Sequence, residues 1–162
     1  MPQIKNDQEL QRTIGKLAEE AIQSASKEIL KLFQEDYLKA IVFNSHGKNK
    51  VYSRTGEFFE AWDFSEIKKT LNTISTELWY NPSKLTTFDP DSFTHGSKYS
   101  SPNDIRSNLQ DILNKAGYSS SLWLSVSRSL PYWDTFILNM FEGGQLVRIV
   151  SKHFTSNGFR RV

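Results

Sequence analysis

The side chains that could carry out chemistry are scattered along this 162-residue chain. Its three histidines are His46, His95 and His153, and no two of them have the H-x-x-H or H-E-x-x-H spacing of a zinc site. Cysteine is absent, which excludes disulfides, thiolate metal sites and cysteine nucleophiles. We therefore predict that the protein holds no metal ion and no cofactor.

Two groups of acidic residues have a spacing that could form a site. Asp89 and Asp91 flank a proline but lack the further acidic positions and the glycine of a calcium loop, which favours a turn. Glu57, Glu60 and Asp63 are spaced by three residues, which on one helix would align their carboxylates for acid–base catalysis. Nothing beside them supplies a nucleophile or a metal ligand, so a solvated acidic face is favoured over a small hydrolase.

Nucleotide-driven catalysis is not indicated either. The eight glycines form no phosphate-binding loop, no nucleophile elbow and no dinucleotide fingerprint. Because metal ligands, cysteine nucleophiles and a supported pair of catalytic carboxylates are also missing from the sequence pattern, we predict that the protein is not an enzyme.

The C-terminal stretch is modestly basic. Glu142 is its acidic residue, and its basic residues are Arg148, Lys152, His153, Arg160 and Arg161. Contacts from these side chains to phosphates would make the protein a small nucleic-acid-binding or regulatory module. A solvated helix face is favoured, because the formal net charge is only +2 and no paired-helix turn of a helix-turn-helix motif is evident.

Membrane insertion and secretion are not expected. Residues 1–10 lack the apolar centre of a signal peptide. No apolar run approaches the roughly 20 residues that a membrane-spanning helix needs. We expect a soluble protein with no membrane partner.

A long amphipathic helix is predicted over residues 7–40, with Asp7 as its N-cap. Apolar residues recur there every three to four positions, at Leu10, Ile14, Leu17, Ala21, Ala25, Ile29, Leu32 or Phe33, and Tyr37. At 1.5 Å per residue the helix would be roughly 45 Å long. Packing into the protein's own core is favoured over projection as an interaction helix.

A β-hairpin is predicted at the end of the region 51–81. A period of two indicates a half-buried strand that ends at Asn81–Pro82, since Ile74, Thr76, Leu78 and Tyr80 alternate with Ser75, Glu77 and Trp79. Its partner strand is expected over 62–69, with the turn over 70–73. Residues 82–101 then form a long loop, which in a compact domain is usually functional or disordered.

Further elements are expected over residues 102–162. These are a helix after Ser101, a strand over 122–126, a helix that begins at Pro131 and ends at Gly143–Gly144, and a final helix from Gln145 to Asn157. The buried face of the helix after Pro131 is predicted to comprise Trp133, Phe136, Ile137, Met140 and Phe141. The fold class is therefore α+β in a single domain over 1–162, with a small antiparallel sheet of about four strands and two to three C-terminal helices packed on it.

The run Tyr52-Ser53-Arg54-Thr55-Gly56-Glu57-Phe58, placed after a long N-terminal helix, resembles the tail-completion and head–tail joining proteins of tailed bacteriophages. In that family the motif leads into a β-meander, a variable loop, further strands and a C-terminal helix. The resemblance spans most of the chain. The run 58–64 is richer in aromatic residues, and the insertion at 83–101 longer, than the family pattern.

The resemblance implies a virion component that forms a homo-oligomeric ring, with a hexamer favoured, at the neck or the head-proximal end of the tail. The implied partners are other copies, the head–tail connector or adaptor, and the tail tube protein, while DNA is met only in the ring lumen. The implied motif residues are Tyr52, Arg54, Thr55, Gly56 and Phe58. The predicted interface residues are Lys48, Lys50, Phe88, Phe93, His95 and Tyr99.

The motif also has an independent physical interpretation. Gly56 is expected to supply a turn with positive φ, and Phe58 to anchor that turn in the core. Arg54 is expected to bond loop carbonyls or a neighbouring carboxylate.

Overall fold

The computed structural model describes residues 6–43, 56–70, 72–86, 106–107, 109–110 and 131–160. Helix α1 spans Asp7–Leu32 and confirms the predicted N-terminal helix. Its N-cap is Asn6 and not Asp7: the Asn6 side chain accepts a hydrogen bond from the Glu9 backbone N–H at 2.9 Å. Asp7 is instead the first helical residue, where its negative charge interacts favourably with the positive end of the helix dipole.

The helical rod continues beyond α1 as a π-helix over Phe33–Phe43. Hydrogen bonds in a π-helix join residues five apart, so the turns are wider than in an α-helix. Phe33 and Leu38, which are five residues apart, are both fully buried. The wider turns therefore bring these two large side chains to the core.

The predicted hairpin is confirmed. After the short helix α2 (Glu57–Glu60), β1 (Trp62–Phe64) pairs antiparallel with β4 (Leu78–Tyr80), and β2 (Lys68–Lys69) pairs with β3 (Ile74–Ser75). In the described part of the chain these four short strands form two two-stranded sheets, where one sheet was predicted.

A β-bulge separates the two sheets. Phe64 pairs with Leu78 and Lys68 with Ser75, so residues 65–67 face only 76–77. The Ser65 hydroxyl accepts a hydrogen bond from the Glu77 backbone N–H at 3.0 Å, and the Thr76 hydroxyl donates to the Ser65 carbonyl at 2.7 Å. Together with the backbone hydrogen bond from the Ser65 N–H to the Glu77 carbonyl at 2.8 Å, these side-chain hydrogen bonds hold the strands together at the bulge.

The remaining described elements are helical. A 3₁₀ turn covers Pro82–Lys84, and residues 106–107 and 109–110 have helical backbone. Helices α3 (Tyr132–Phe141) and α4 (Gln145–Ser156) confirm the two predicted C-terminal helices. The predicted strand over 122–126 and most of the loop over 82–101 lie outside the described residues. The chain thus has an α+β fold with a long N-terminal helix, small antiparallel sheets and C-terminal helices.

Aromatic rings fill the centre of the core. Phe33 is in the middle, and its ring centroid lies 4.7–6.1 Å from those of four other rings. The four rings belong to Trp62, Tyr132, Trp133 and Phe136. The π-helix, the hairpin and α3 therefore meet at one side chain.

The predicted buried face of α3 is wrong at Phe141, which is 63% exposed. The face that enters the core is set by Tyr132, Phe136 and Met140, which are four residues apart and all buried. Phe141 follows Met140, and one residue turns an α-helix by about 100°, so its side chain points away from the core. Tyr132, which is fully buried, was absent from the predicted face.

Candidate functional site

The motif turn has the predicted conformation at both of its described residues. Gly56 has φ +81° at the start of α2, and its carbonyl accepts a hydrogen bond from the Phe59 N–H at 2.9 Å. Phe58 is buried, and its ring packs against those of Trp62, Tyr80 and Tyr132. The turn is therefore anchored in the core, as expected from the sequence.

The other predicted site residues lie outside the described residues, so their predictions stay open. They are the motif residues Tyr52, Arg54 and Thr55 and the interface residues Lys48, Lys50, Phe88, Phe93, His95 and Tyr99. His46, Asp89 and Asp91 are outside as well.

The three carboxylates considered for acid–base catalysis do not share a helix face. The chain leaves α2 at Ala61, so Asp63 lies on β1. Glu57 accepts a hydrogen bond from the Thr86 hydroxyl at 2.8 Å, and Asp63 lies 3.7 Å from the Lys84 ammonium. The one-face arrangement that the hydrolase alternative required is therefore not formed. Across the described residues, no group of three or more histidine, aspartate or glutamate side chains is placed to hold a metal ion.

Two residues of the basic C-terminal stretch contact α1. Glu28 of α1 accepts a hydrogen bond from the Lys152 ammonium at 2.7 Å. Its Oε2 also lies within hydrogen-bond distance of His153 Nε2, at 2.7 Å. The hydrogen bond from Lys152, and next that from His153, hold the pKa of Glu28 below its ordinary value. The Lys152 ion pair and the His153 hydrogen bond therefore link α4 to α1. The nucleic-acid-binding alternative stays a prediction.

Acidification should weaken the interaction of Glu28 with Lys152 and His153. Because the pKa of Glu28 is lower in the folded than in the unfolded chain, its stabilising effect is complete above the unfolded value, 4.5, and is lost as the pH falls through the folded value. Glu28→Gln should lower the free energy of unfolding at pH 7 by less than about 1 kcal/mol, the range of exposed ion pairs. It should also reduce the loss of stability below pH 5, measured by urea denaturation across pH.

Lys152→Gln serves as the second variant in that experiment. It removes the largest cause of the pKa shift and leaves the carboxyl group in place. The acid-induced loss should shrink in this variant too. An unchanged loss of stability in both variants would contradict the assignment to Glu28.

Five large apolar side chains in two places are exposed on α1, α3 and α4. The end patch consists of Leu10 and Ile14, near the start of α1, which are 40% and 45% exposed. The corner patch consists of Leu138 and Phe141 at the end of α3 and Val147 in α4, which are 51%, 63% and 60% exposed. A helix that is apolar on nearly all sides, as α3 is, is usually buried on all sides, and exposed apolar clusters often mark contact surfaces, so both patches are candidate interaction surfaces.

None of these five residues was predicted as a site residue. Leu10 and Ile14 continue the stripe of the core residues, and Phe141 was counted in the core. One signal was present in α3, where Phe136, Ile137, Leu138, Met140 and Phe141 place apolar residues around the whole helix. A single core can cover only one face of such a helix.

No helix in the described part of the chain combines the length and apolarity that crossing a bilayer requires. Comparisons with models of known protein families, with curated proteins and with solved structures found no match to this chain.

Proposed function

We propose that this protein is a structural component of a tailed-phage virion, a tail-completion, tail-terminator or head–tail connector subunit that forms a ring at the neck. Its partners would be further copies, the connector or adaptor, and the tail tube protein, and it would carry out no catalysis. The proposal rests on the motif that includes Arg54, Thr55 and Gly56 and on the order of the elements around it.

The observation that carries the proposal is how the motif is used in the fold. Gly56 turns with positive φ, Phe58 enters the core, and the chain passes directly into the hairpin. Among the described elements, this follows a long helical rod over 7–43 and precedes two C-terminal helices. A long N-terminal helix before the motif, and strands and a C-terminal helix after it, are the parts that agree with the family that the motif resembles. Gly56 and Phe58, the two described motif residues, therefore have a structural role at the start of the hairpin region.

The exposed apolar side chains are a second support. A protein that works by assembly must expose surfaces that become covered in the particle. The end patch and the corner patch are exposed apolar side chains that could serve in this way, and substitutions there need not disturb the core.

The test is a phage that carries this gene and a derivative from which it is deleted. We expect mass spectrometry of purified particles to detect the chain, electron microscopy to place it at the neck, and the deletion to yield heads and tails that remain unjoined. Particles that lack the chain, or normal joining after its deletion, would overturn the proposal. Binding to duplex DNA that weakens steeply with salt would instead favour the nucleic-acid-binding alternative.

A further inference from the structure

We propose that Asn157 is a site of spontaneous covalent modification, where the side-chain amide is converted to a carboxylate at a rate set by the C-terminal cap of α4. Asn157–Gly158 is the single Asn–Gly pair in the sequence. Because glycine has no side chain, its backbone nitrogen can approach the preceding side chain closely. The inference does not depend on the proposed function, since its argument uses only the end of α4.

The reaction is an intramolecular acyl transfer. The Gly158 nitrogen loses its proton to a base from solvent and attacks the Asn157 Cγ atom, forming a new C–N bond. The bond between Cγ and Nδ2 breaks, and the leaving nitrogen takes up a proton and departs as ammonia. Water then opens the resulting succinimide ring at either carbonyl, which yields aspartate or isoaspartate. Gly158 is exposed, so solvent reaches the reacting nitrogen.

The folded cap holds both reacting groups in hydrogen bonds. The Gly158 N–H donates to the Thr155 carbonyl at 3.1 Å. The Asn157 Nδ2 donates to the His153 carbonyl at 2.9 Å, which directs the side-chain amide toward the preceding turn of α4. Both bonds must break before the nitrogen can attack Cγ. The reaction therefore waits for the cap to open.

A contact between two aromatic rings closes this cap. The Phe159 N–H donates to the Phe154 carbonyl at 3.1 Å, and Gly158 has φ +94°. With the hydrogen bond to Thr155, this is the pattern of a Schellman motif, which commonly carries such a hydrophobic contact. The ring centroids of Phe154 and Phe159 lie 5.1 Å apart, and neither ring belongs to the core formed by the described residues. The cap can thus open locally, without unfolding of the core.

The modification should in turn weaken the end of α4. The His153 carbonyl loses the Nδ2 donor, and a carboxylate appears at the negative end of the helix dipole. Asn157→Asp reproduces one of the two products. Amide hydrogen exchange over residues 154–159 should be about three- to tenfold faster in this variant than in the parent protein. Unchanged exchange would count against the proposal, because the amide would then not hold the cap closed.

The main experiment incubates the full chain in mildly alkaline buffer, with and without guanidinium chloride, and follows each asparagine by peptide mass spectrometry. In the unfolded chain, Asn157 should react faster than every other asparagine. In the folded chain its rate should be at least about tenfold lower, because only the open cap reacts. Equal rates in the folded and unfolded chain would overturn the proposal, as would an unfolded chain in which Asn157 reacts no faster than the other asparagines.

Phe159→Ala separates the opening of the cap from the intrinsic reactivity of the Asn–Gly pair. The change removes the ring contact with Phe154 and leaves both reacting residues in place. Modification of Asn157 should be about three- to tenfold faster in the folded chain and unchanged in guanidinium chloride. The matched control is Phe141→Ala, the same change at an exposed position of α3, which should leave both rates at the parent values. A folded-state rate in Phe159→Ala equal to that of the parent would refute control by the cap.

Discussion

Replacing Phe33 by alanine should lower the free energy of unfolding by about 3–5 kcal/mol, the usual effect of deleting a buried phenyl ring. Phe33 is fully buried, and its ring contacts four aromatic neighbours from the hairpin and α3. The cavity would therefore open where three elements meet. Urea denaturation followed by circular dichroism measures the change.

The matched control is Phe141→Ala, which makes the same chemical change at an exposed position and should shift stability by no more than about 0.5 kcal/mol. Since a domain of ordinary stability holds only about 5–15 kcal/mol, Phe33→Ala could fail to fold. Phe33→Leu, which retains most of the volume, keeps the measurement possible and should destabilise by roughly 1 kcal/mol. Equal midpoints for Phe33→Ala and Phe141→Ala would contradict the assigned core.

Local patterns in the sequence were sufficient to predict α1, α3, α4 and the hairpin, whereas the π-helical form of the rod's end and the short helix α2 were not predicted. The alternation at Ile74, Leu78 and Tyr80 identified the inward side of β3 and β4, and Gly143–Gly144 identified the end of α3. Such signals depend on neighbouring residues alone, so they survive without knowledge of the tertiary structure. The bulge at 65–67 has no comparable signal, because it depends on how two strands pair.

Predictions that depended on packing were less successful. The face of α3 could not be chosen from a helix that is apolar on nearly every side, and Phe141 was placed in the core for that reason. The spacing of Glu57, Glu60 and Asp63 suggested one helix, but α2 ends before Asp63. At the candidate site, Gly56 and Phe58 were predictable because a turn and its anchor are local features.

Gly143→Ala should destabilise the protein by about 1–3 kcal/mol, the range of local backbone strain. A Cβ atom at this position would lie 2.5 Å from the Asn139 carbonyl oxygen, a backbone atom of α3 that cannot rotate away. The Gly143 N–H also donates a hydrogen bond to the Leu138 carbonyl at 3.1 Å, which ends the helix. Relief of the clash would therefore disturb the turn that connects α3 to α4.

Two other glycines separate this clash from the general effects of a Gly→Ala change. Gly56 has φ +81° and open space around its Cβ position, so Gly56→Ala should show only the backbone penalty, about 1–2 kcal/mol. Gly15 lies inside α1, where a Cβ would meet only the flexible Lys69 side chain at 3.4 Å. Gly15→Ala should therefore stabilise the protein by roughly 0.5–1 kcal/mol. Thermal and urea denaturation of the three variants should show Gly15→Ala to be more stable than the parent protein and Gly143→Ala to be less stable. A Gly143→Ala variant as stable as the parent would refute the close approach of Gly143 to the Asn139 carbonyl.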